Sequence, residues 1–320
     1  MSKHIGKLSF RSGIANIPTV VWALLAMMVY FSWSLPIFRT WSNIMNILRQ
    51  GSILITLAMG VIVVKITGGM DLSVGAVMTL SGMVMAWALS TAQFSIWVAV
   101  LLCLVVGTAC GFLNGVFVAL MNIPPFVATL GVQGMAAGLS LVLTGGYVVW
   151  IDSDALSFIG SGQLLGISTS IWISLVAFMS SLIILSSTPF GVYIYAIGGN
   201  EDALRLVGKQ SWWYKILAYT YCGLMAGIAG VVITSRNMAA QPTIGLGMEF
   251  EAFAATVLGG SVVSGRGDAF GATLGALFLL ILRNGLNLKG VPTYYQLAII
   301  GVAIIVAIVT SMVLDRRLRG

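Results

Sequence analysis

Charge is scarce in this chain. Only 8% of its 320 residues are Asp, Glu, Lys or Arg, where soluble domains carry roughly a quarter. So few charges cannot cover a globular surface, which excludes a water-soluble fold and places the 59% that is hydrophobic in lipid. Histidine occurs once, as His4, and Cys103, Cys110 and Cys222 all fall inside apolar runs. With no His cluster and no Cys-x-x-Cys pair there is no ligand set for a metal, and the cysteines read as small packing residues. The phosphate-binding pattern G-x-x-x-x-G-K-[ST] is missing, and no lysine is followed by Ser or Thr. No His/Asp or Ser/Lys constellation lies at depth, which argues against an intramembrane enzyme. The paired mid-span charges that an ion-coupled transporter needs are nearly absent as well.

What is present is a series of long apolar runs, near 17–38, 51–67, 72–90, 94–120, 125–144, 171–187, 213–234, 249–262, 269–286 and 294–314. A helix needs about 20 residues to cross the hydrocarbon core. The chain therefore reads as an all-α polytopic membrane protein with about ten transmembrane helices and a single transmembrane domain over 1–320. The 249–262 run is short and glycine-bounded, and predicts a broken or re-entrant helix buried by protein. Lys3, Lys7 and Arg11 precede a first run that is too long for a signal peptide and has no small-residue cleavage site, so it reads as an uncleaved span.

Cytoplasmic loops collect Lys and Arg. With the 1–16 tail inside, alternation places Lys3, Lys7, Arg11, Lys65, Arg205, Lys209, Lys215, Arg266, Arg316, Arg317 and Arg319 on the inner side. It places Arg39, Arg49, Arg236, Arg283 and Lys289 outside. Ten spans with both termini cytoplasmic fit this bias. The 145–170 segment, with Asp152 and Asp154 and no base, predicts a periplasmic loop. Residues 39–50 read as an amphipathic surface helix with Ser42 as its N-cap and Trp41 at the interface. Gly107, Gly111 and Gly115, and again Gly267, Gly271 and Gly275, recur every fourth residue, a spacing that lets helix backbones approach closely, either within the chain or at a dimer contact. A weak echo between LNGVFVALMNIPPF (113–126) and RNGLNLKGVPTYY (283–295) would suit inverted repeats.

One charged stretch interrupts the apolar pattern: AIGGNEDALRLVGKQ, residues 196–210. Asn200 can cap a helix, and Glu201 and Asp202 fall in its first turn, where the helix dipole favours negative charge. Arg205 stands four residues after Glu201, Gly208 can close the helix in the left-handed region, and Lys209 follows at its C-terminal end. Residues 201–207 would make about two turns, roughly 10 Å at 1.5 Å per residue. So short a helix cannot cross lipid and is marginal alone in water, so it must dock, through Ala203, Leu204, Leu206 and Val207 and its charges, on its own spans or on a separate cytoplasmic protein.

The motif GGNEDALRLVG resembles the cytoplasmic loop of ribose-type ATP-binding-cassette (ABC) transporter permeases, the membrane subunits of binding-protein-dependent sugar importers. GGMDLSVGAV (68–77), NGVFVALMNIPPFVATLG (114–131), AAQPTIGLGMEFEAFAATVLGG (239–260) and NGLNLKGVPTYYQ (284–296) agree with the same family, in order, from about residue 40 to the C-terminus. The resemblance implies that the 188–212 loop carries a coupling helix, with Asn200, Glu201, Asp202, Leu204, Arg205, Gly208 and Lys209 seated in a groove of a cytoplasmic ATPase. It implies no enzymatic activity and no cofactor on this chain, ATP being held by the partner subunit. The implied partners are a second permease, identical or homologous, ATP-binding-cassette ATPases, a periplasmic solute-binding protein and membrane lipid, with no nucleic acid, at a bacterial inner membrane. Two stretches depart from the family pattern. Glu249, Phe250, Glu251, Ala252, Phe253, Ala254 and Ala255 stand where Glu-Leu-Asp-Ala-Ile-Ala-Ala is usual, and SVVSGRG is a shorter glycine turn.

The pathway or gate candidates are Asp71, Asn114, Gln133, Glu249, Glu251 and Gln296. Asp71 can equally cap the helix that follows it. Glu249 and Glu251 are expected at the outer end of their segment, facing water or a polar partner, because a buried carboxylate costs about 2.5–3.5 kcal/mol at the bilayer centre. The three amides can bond a hydroxylated solute or merely a neighbouring helix. Few charges along the way suit a neutral sugar or polyol, whose identity the chain does not specify. An ion-coupled secondary transporter of a small neutral solute is the alternative.

Overall fold

The computed structural model describes residues 19–206, 208–261 and 264–319. The basic tail over 1–16, Val207, and the two valines of SVVSGRG lie outside them. Twelve helices follow in order: α1 (Thr19–Ser34), α2 (Trp41–Ile66), α3 (Val74–Ser90), α4 (Ile96–Ala119), α5 (Pro125–Thr144), α6 (Asp154–Ser161), α7 (Thr169–Ser187), α8 (Pro189–Leu206), α9 (Ser211–Asn237), α10 (Met248–Leu258), α11 (Ala269–Leu288) and α12 (Thr293–Arg319). Six of them, α2, α4, α5, α7, α9 and α11, are long and apolar enough to cross a membrane, and Val20–Ser34, Val74–Ser90 and Thr293–Val306 are shorter apolar stretches. Four two-residue strands make two antiparallel pairs, β1 (Val149–Trp150) with β4 (Ala239–Ala240) and β2 (Gln163–Leu164) with β3 (Ile167–Ser168).

The chain's turns gather at two opposite ends. At one end, Gly265 donates its N–H to the Ile66 carbonyl at 2.8 Å, and Gly198 packs on both residues. At the other, Arg236 donates to the Arg49 carbonyl at 3.2 Å and Gly160 lies against the backbone of Ser235 and Arg236. Between them runs α2, whose 26 residues extend about 39 Å at 1.5 Å per residue. The expected surface helix over 39–50 is corrected here. Residues 41–50 are the first turns of α2 itself, capped by Thr40, whose Oγ1 accepts the Asn43 N–H at 3.3 Å, and not by Ser42. On those turns Ile47 is buried and Asn43 bonds Asn284 of α11, while Trp41 and Ile44 remain exposed. The 145–170 segment holds α6 and three of the short strands.

Lipid supplies no hydrophobic driving force between apolar helices, so close backbone approach does the work. The central helix is α9, which packs against α4, α2 and α3. Gly107 of α4 lies on Gly223 and Gly227, Gly111 on Tyr219 and Gly223, and Gly115 on Ile216. Gly60 of α2 meets Cys222 and Met225, and Gly82 of α3 meets Gly230 and Thr234. The glycine run of α4 is thus consumed inside the chain. In the second run Gly271 and Gly275 seat α11 against Gly259 and Ala255 of α10, whereas Gly267 lies in the preceding turn with a φ of 104°. Asn43 of α2, which is buried, and Asn284 of α11, which is half-buried, exchange amide hydrogen bonds of 3.0 and 2.9 Å. Asn284→Leu leaves the buried Asn43 Oδ1 without its donor, although Asn43 Nδ2 keeps the Phe38 carbonyl, and is expected to cost about 1–3 kcal/mol, while Asn43→Leu with Asn284→Leu recovers part of the loss; thermal melts of the two variants in detergent compare them directly.

Candidate functional site

The short helix forms because α8 breaks at Asn200, whose φ of −161° and ψ of 97° are extended. Its Oδ1 accepts the Ala203 N–H at 3.0 Å and caps the turns over 201–206. At the far end Gly208 has a φ of 76°, and the Gly208 and Lys209 N–H groups return to the Arg205 and Leu204 carbonyls at 2.9 and 3.3 Å. Lys209 rests over the Tyr193 ring at 5.4 Å.

Glu201 organises the helix. Its Oε1 accepts from Arg205 at 2.9 Å and from the Ser211 hydroxyl at 2.7 Å, while its Oε2 pairs with Lys215 at 2.5 Å. Partial burial works to raise this carboxyl, but hydrogen bonds from Lys215 and Ser211, the Lys215 charge and the Arg205 hydrogen bond outweigh it and hold it below the usual carboxylate range. The sign follows from a depressed carboxylate: the stabilisation is complete above the ordinary carboxylate pKa and fades only as pH falls through the lowered one. Sequence reasoning saw the Glu201–Arg205 pair. It missed Ser211 and Lys215, because a contact between the start of one helix and the start of the next has no fixed spacing to betray it.

Leu204 is buried against the bundle, whereas Leu206 is 88% exposed. The apolar side chain that this helix offers outward is therefore Leu206, and Leu204 is what seats it. A cavity of about 510 Å³ adjoins the helix, lined in part by Leu120, Asn122, Arg205, Lys209 and Trp212.

The pathway candidates fall into separate places. Asp71 is 1% exposed at the break between α2 and α3. It does not cap α3: that position is Ser73, and Asp71 Oδ1 instead accepts the Ser73 N–H at 2.9 Å and its hydroxyl at 2.6 Å. Asn114 of α4 donates to the Ser73 Oγ at 2.8 Å and the Tyr219 hydroxyl to the Met70 carbonyl at 3.3 Å, so Asn114 binds helix to helix. Gln296 is buried as well, and its Nε2 bonds Asn287 and the Val291 carbonyl, each at 2.7 Å.

Of the two surroundings expected for Glu249 and Glu251, water or a polar partner, each carboxylate has a polar partner, and Glu249 is covered by protein rather than open to an outer end. After α9 the chain turns back into the protein: Gly245 is buried on Gly75, and its N–H donates to Thr79 Oγ1 at 3.0 Å. Irregular backbone survives at depth when protein covers it. The half-length α10 therefore starts inside the bundle, and Glu249 is 2% exposed. Its Oε1 accepts from Gln133, near the middle of α5, at 3.1 Å, and its Oε2 lies beside Gly75 with no side-chain donor. Glu251 pairs with Arg283 of α11 at 2.5 Å, on the wall of a cavity of about 230 Å³ that Gln50, Arg236 and Asn284 also line. Three ion pairs form among the described residues, and none includes Asp71 or Glu249.

Comparison with known proteins decides which family this apolar bundle with its short capped helix represents. The family described as branched-chain amino acid transport system / permease component matches residues 43–308. The chain belongs to this permease family. It is 40% identical over 294 residues to the ribose import permease protein of Escherichia coli K12, covering 90% of this chain and 91% of the relative. It is 37% identical to the autoinducer 2 import system permease protein of Photorhabdus laumondii, covering 85% and 81% of the two chains. It is 32% identical to the D-allose transport system permease protein of E. coli K12, covering 90% and 89%. No solved structure matches the chain. As a member of this family the permease is a multi-pass membrane protein, and the family is one of transport components.

Proposed function

We propose that this permease forms the translocation pathway of an ATP-binding-cassette importer for a sugar or sugar-like solute. It crosses a bacterial inner membrane about ten times, counting the broken 238–258 segment as one crossing, with both termini in the cytoplasm. It pairs with a second permease, identical or homologous. It receives solute from a periplasmic binding protein, and takes its motion from ATPases docked on the helix over 201–206. ATP is bound by those partners and not by this chain. The observation that carries the reading is that helix: capped at Asn200, closed at Gly208, seated by Leu204 and presenting Leu206 outward.

A sugar is favoured over the amino acid of the family's description because the similar permeases are named for ribose, autoinducer 2 and D-allose.

Leu206→Asp tests the docking role. The side chain is exposed, so folding should persist, while a charge placed in an apolar groove should lower binding-protein-stimulated ATP hydrolysis by about tenfold, equivalent to roughly 1.4 kcal/mol of docking energy. Proteoliposomes holding permease, ATPase and binding protein provide the measurement, with labelled ribose, allose and leucine as competing solutes. Undiminished stimulation would remove the docking assignment, and preferential leucine uptake would remove the sugar.

Two buried carboxylates without basic partners, Asp71 and Glu249, are the observation that favours a second reading, ion-coupled transport. Uptake on an ion gradient with the partner ATPase disabled separates the two.

A further inference from the structure

The short helix is attached unequally at its two ends. Toward α8 the connection is a break: Asn200 is extended, and Gly199 before it has nothing within 4 Å of where a side chain would begin. Gly198, one residue earlier, is pinned to the Ile66 carbonyl and Gly265, so the rest of α8 belongs to the bundle. Toward α9 the connection is a clamp. Both carboxylate oxygens of Glu201 are engaged, and two of their three donors, Ser211 and Lys215, lie in the first turns of α9. Displacement of the helix is therefore absorbed at 199–200 on one side and handed over on the other.

What receives it is the central helix. On α9, Tyr219 and Gly223 lie against α4, Cys222 and Met225 against α2, and Gly230 against α3, through contacts with backbone on one or both sides. Tyr219 also donates to the Met70 carbonyl in the break between α2 and α3, next to Asp71. A helix held that closely by three neighbours cannot slide past any of them alone, since packed interiors deform as discrete units.

We propose that Glu201 is the positioning residue that makes the short helix and α9 one mechanical body, with Lys215 and Ser211 as its anchors, so that work done by the ATPase on residues 201–206 moves α9 and, with it, α2, α3 and α4. This rests on the reading under Proposed function and deepens it: Leu206 makes the contact with the partner, and Glu201 passes the motion on without touching it. The ion pair is partly exposed, and such pairs add little to stability. A purely structural role would accordingly leave transport efficiency unchanged.

The test uses the complete transporter, permease with ATPase and binding protein, in proteoliposomes. For Glu201→Gln, which retains the shape and one acceptor oxygen but loses the charge and the second acceptor, and for Lys215→Met, solute moved per ATP hydrolysed is expected to fall at least fivefold. Co-purification of the ATPase and the melting temperature should stay at wild-type values. Lys215→Arg, which keeps the charge, is expected to retain more than half of the wild-type ratio. The proposal is overturned if both charge-removing variants transport with wild-type efficiency. It is overturned equally if Glu201→Gln releases the ATPase, which would make Glu201 a docking contact, or if Lys215→Arg is as defective as Lys215→Met. Failure of the wild-type permease to retain any ATPase would instead strike the underlying importer reading, and is seen before any variant is made.

Discussion

Replacing Gly223 with leucine is expected to leave little folded permease in the membrane. A side chain there would be driven into the Gly107 carbonyl and the backbone of Gly111, whose Cα lies 2.7 Å from the position the first side-chain carbon would take. Neither obstacle is a flexible side chain that could turn aside. Inserting methylenes into a well-packed core costs typically 1–3 kcal/mol. Here backbone must separate from backbone along the contact that replaces the hydrophobic effect in lipid, so a loss of at least about 3 kcal/mol is expected, a large part of the 5–15 kcal/mol that holds a typical fold. Gly138→Ala on α5 is the control, because nothing lies within 4 Å of that position. Fluorescence-detected size exclusion and melting in detergent should show Gly223→Leu aggregated or melting many degrees lower, with Gly138→Ala unchanged. Equal behaviour of the two variants would mean that α4 and α9 are not closed on each other as described.

Uptake is expected to fall to background when the Walker lysine of the partner ATPase is changed to alanine, even with a sodium or proton gradient imposed. The sequence holds no G-x-x-x-x-G-K-[ST] pattern, so on the proposed importer reading hydrolysis on a partner reaches the permease through contact. An ion-coupled carrier behaves in the opposite way: each elementary charge moved is driven by about 2.3 kcal/mol per 100 mV, and an ATPase variant is irrelevant to it. Asp71 and Glu249 are where such coupling would reside. Asp71, however, accepts both hydrogen bonds of Ser73 within its own turn, and Glu249 joins α10 to Gln133 of α5, so each carboxylate has a structural role that needs no ion. Continued uptake on the gradient alone in the Walker variant would transfer the function to those two carboxylates.

Legibility differed between kinds of residue. Asn200, Glu201, Arg205 and Gly208 act through contacts three or four residues away, and the helix repeat makes such contacts visible in a linear text. Leu204 and Leu206 look alike in sequence, and only docking on the bundle separates the buried one from the exposed one. The reach of Lys215 to Glu201, the Asn43–Asn284 exchange and the seat of Gly245 on Gly75 join residues 14, 241 and 170 positions apart in the numbering, and leave no periodic trace. The 39–50 segment misled because an amphipathic stripe is the same whether its apolar side meets lipid or another helix.

The sequence by itself determined the solvent and the grammar of this protein. Its scarcity of charge required a bilayer, its apolar runs set most of the helices, and its local capping signals placed a short helix at one end. Only the tertiary structure decided that α9 is the helix on which the others close, that α10 begins inside the protein with Glu249 covered, and that the short helix is tied to α9 through Glu201. The physical reason is that composition and local spacing act through solvent and neighbouring turns. Which glycine meets which backbone is settled by the simultaneous packing of helices far apart in the chain.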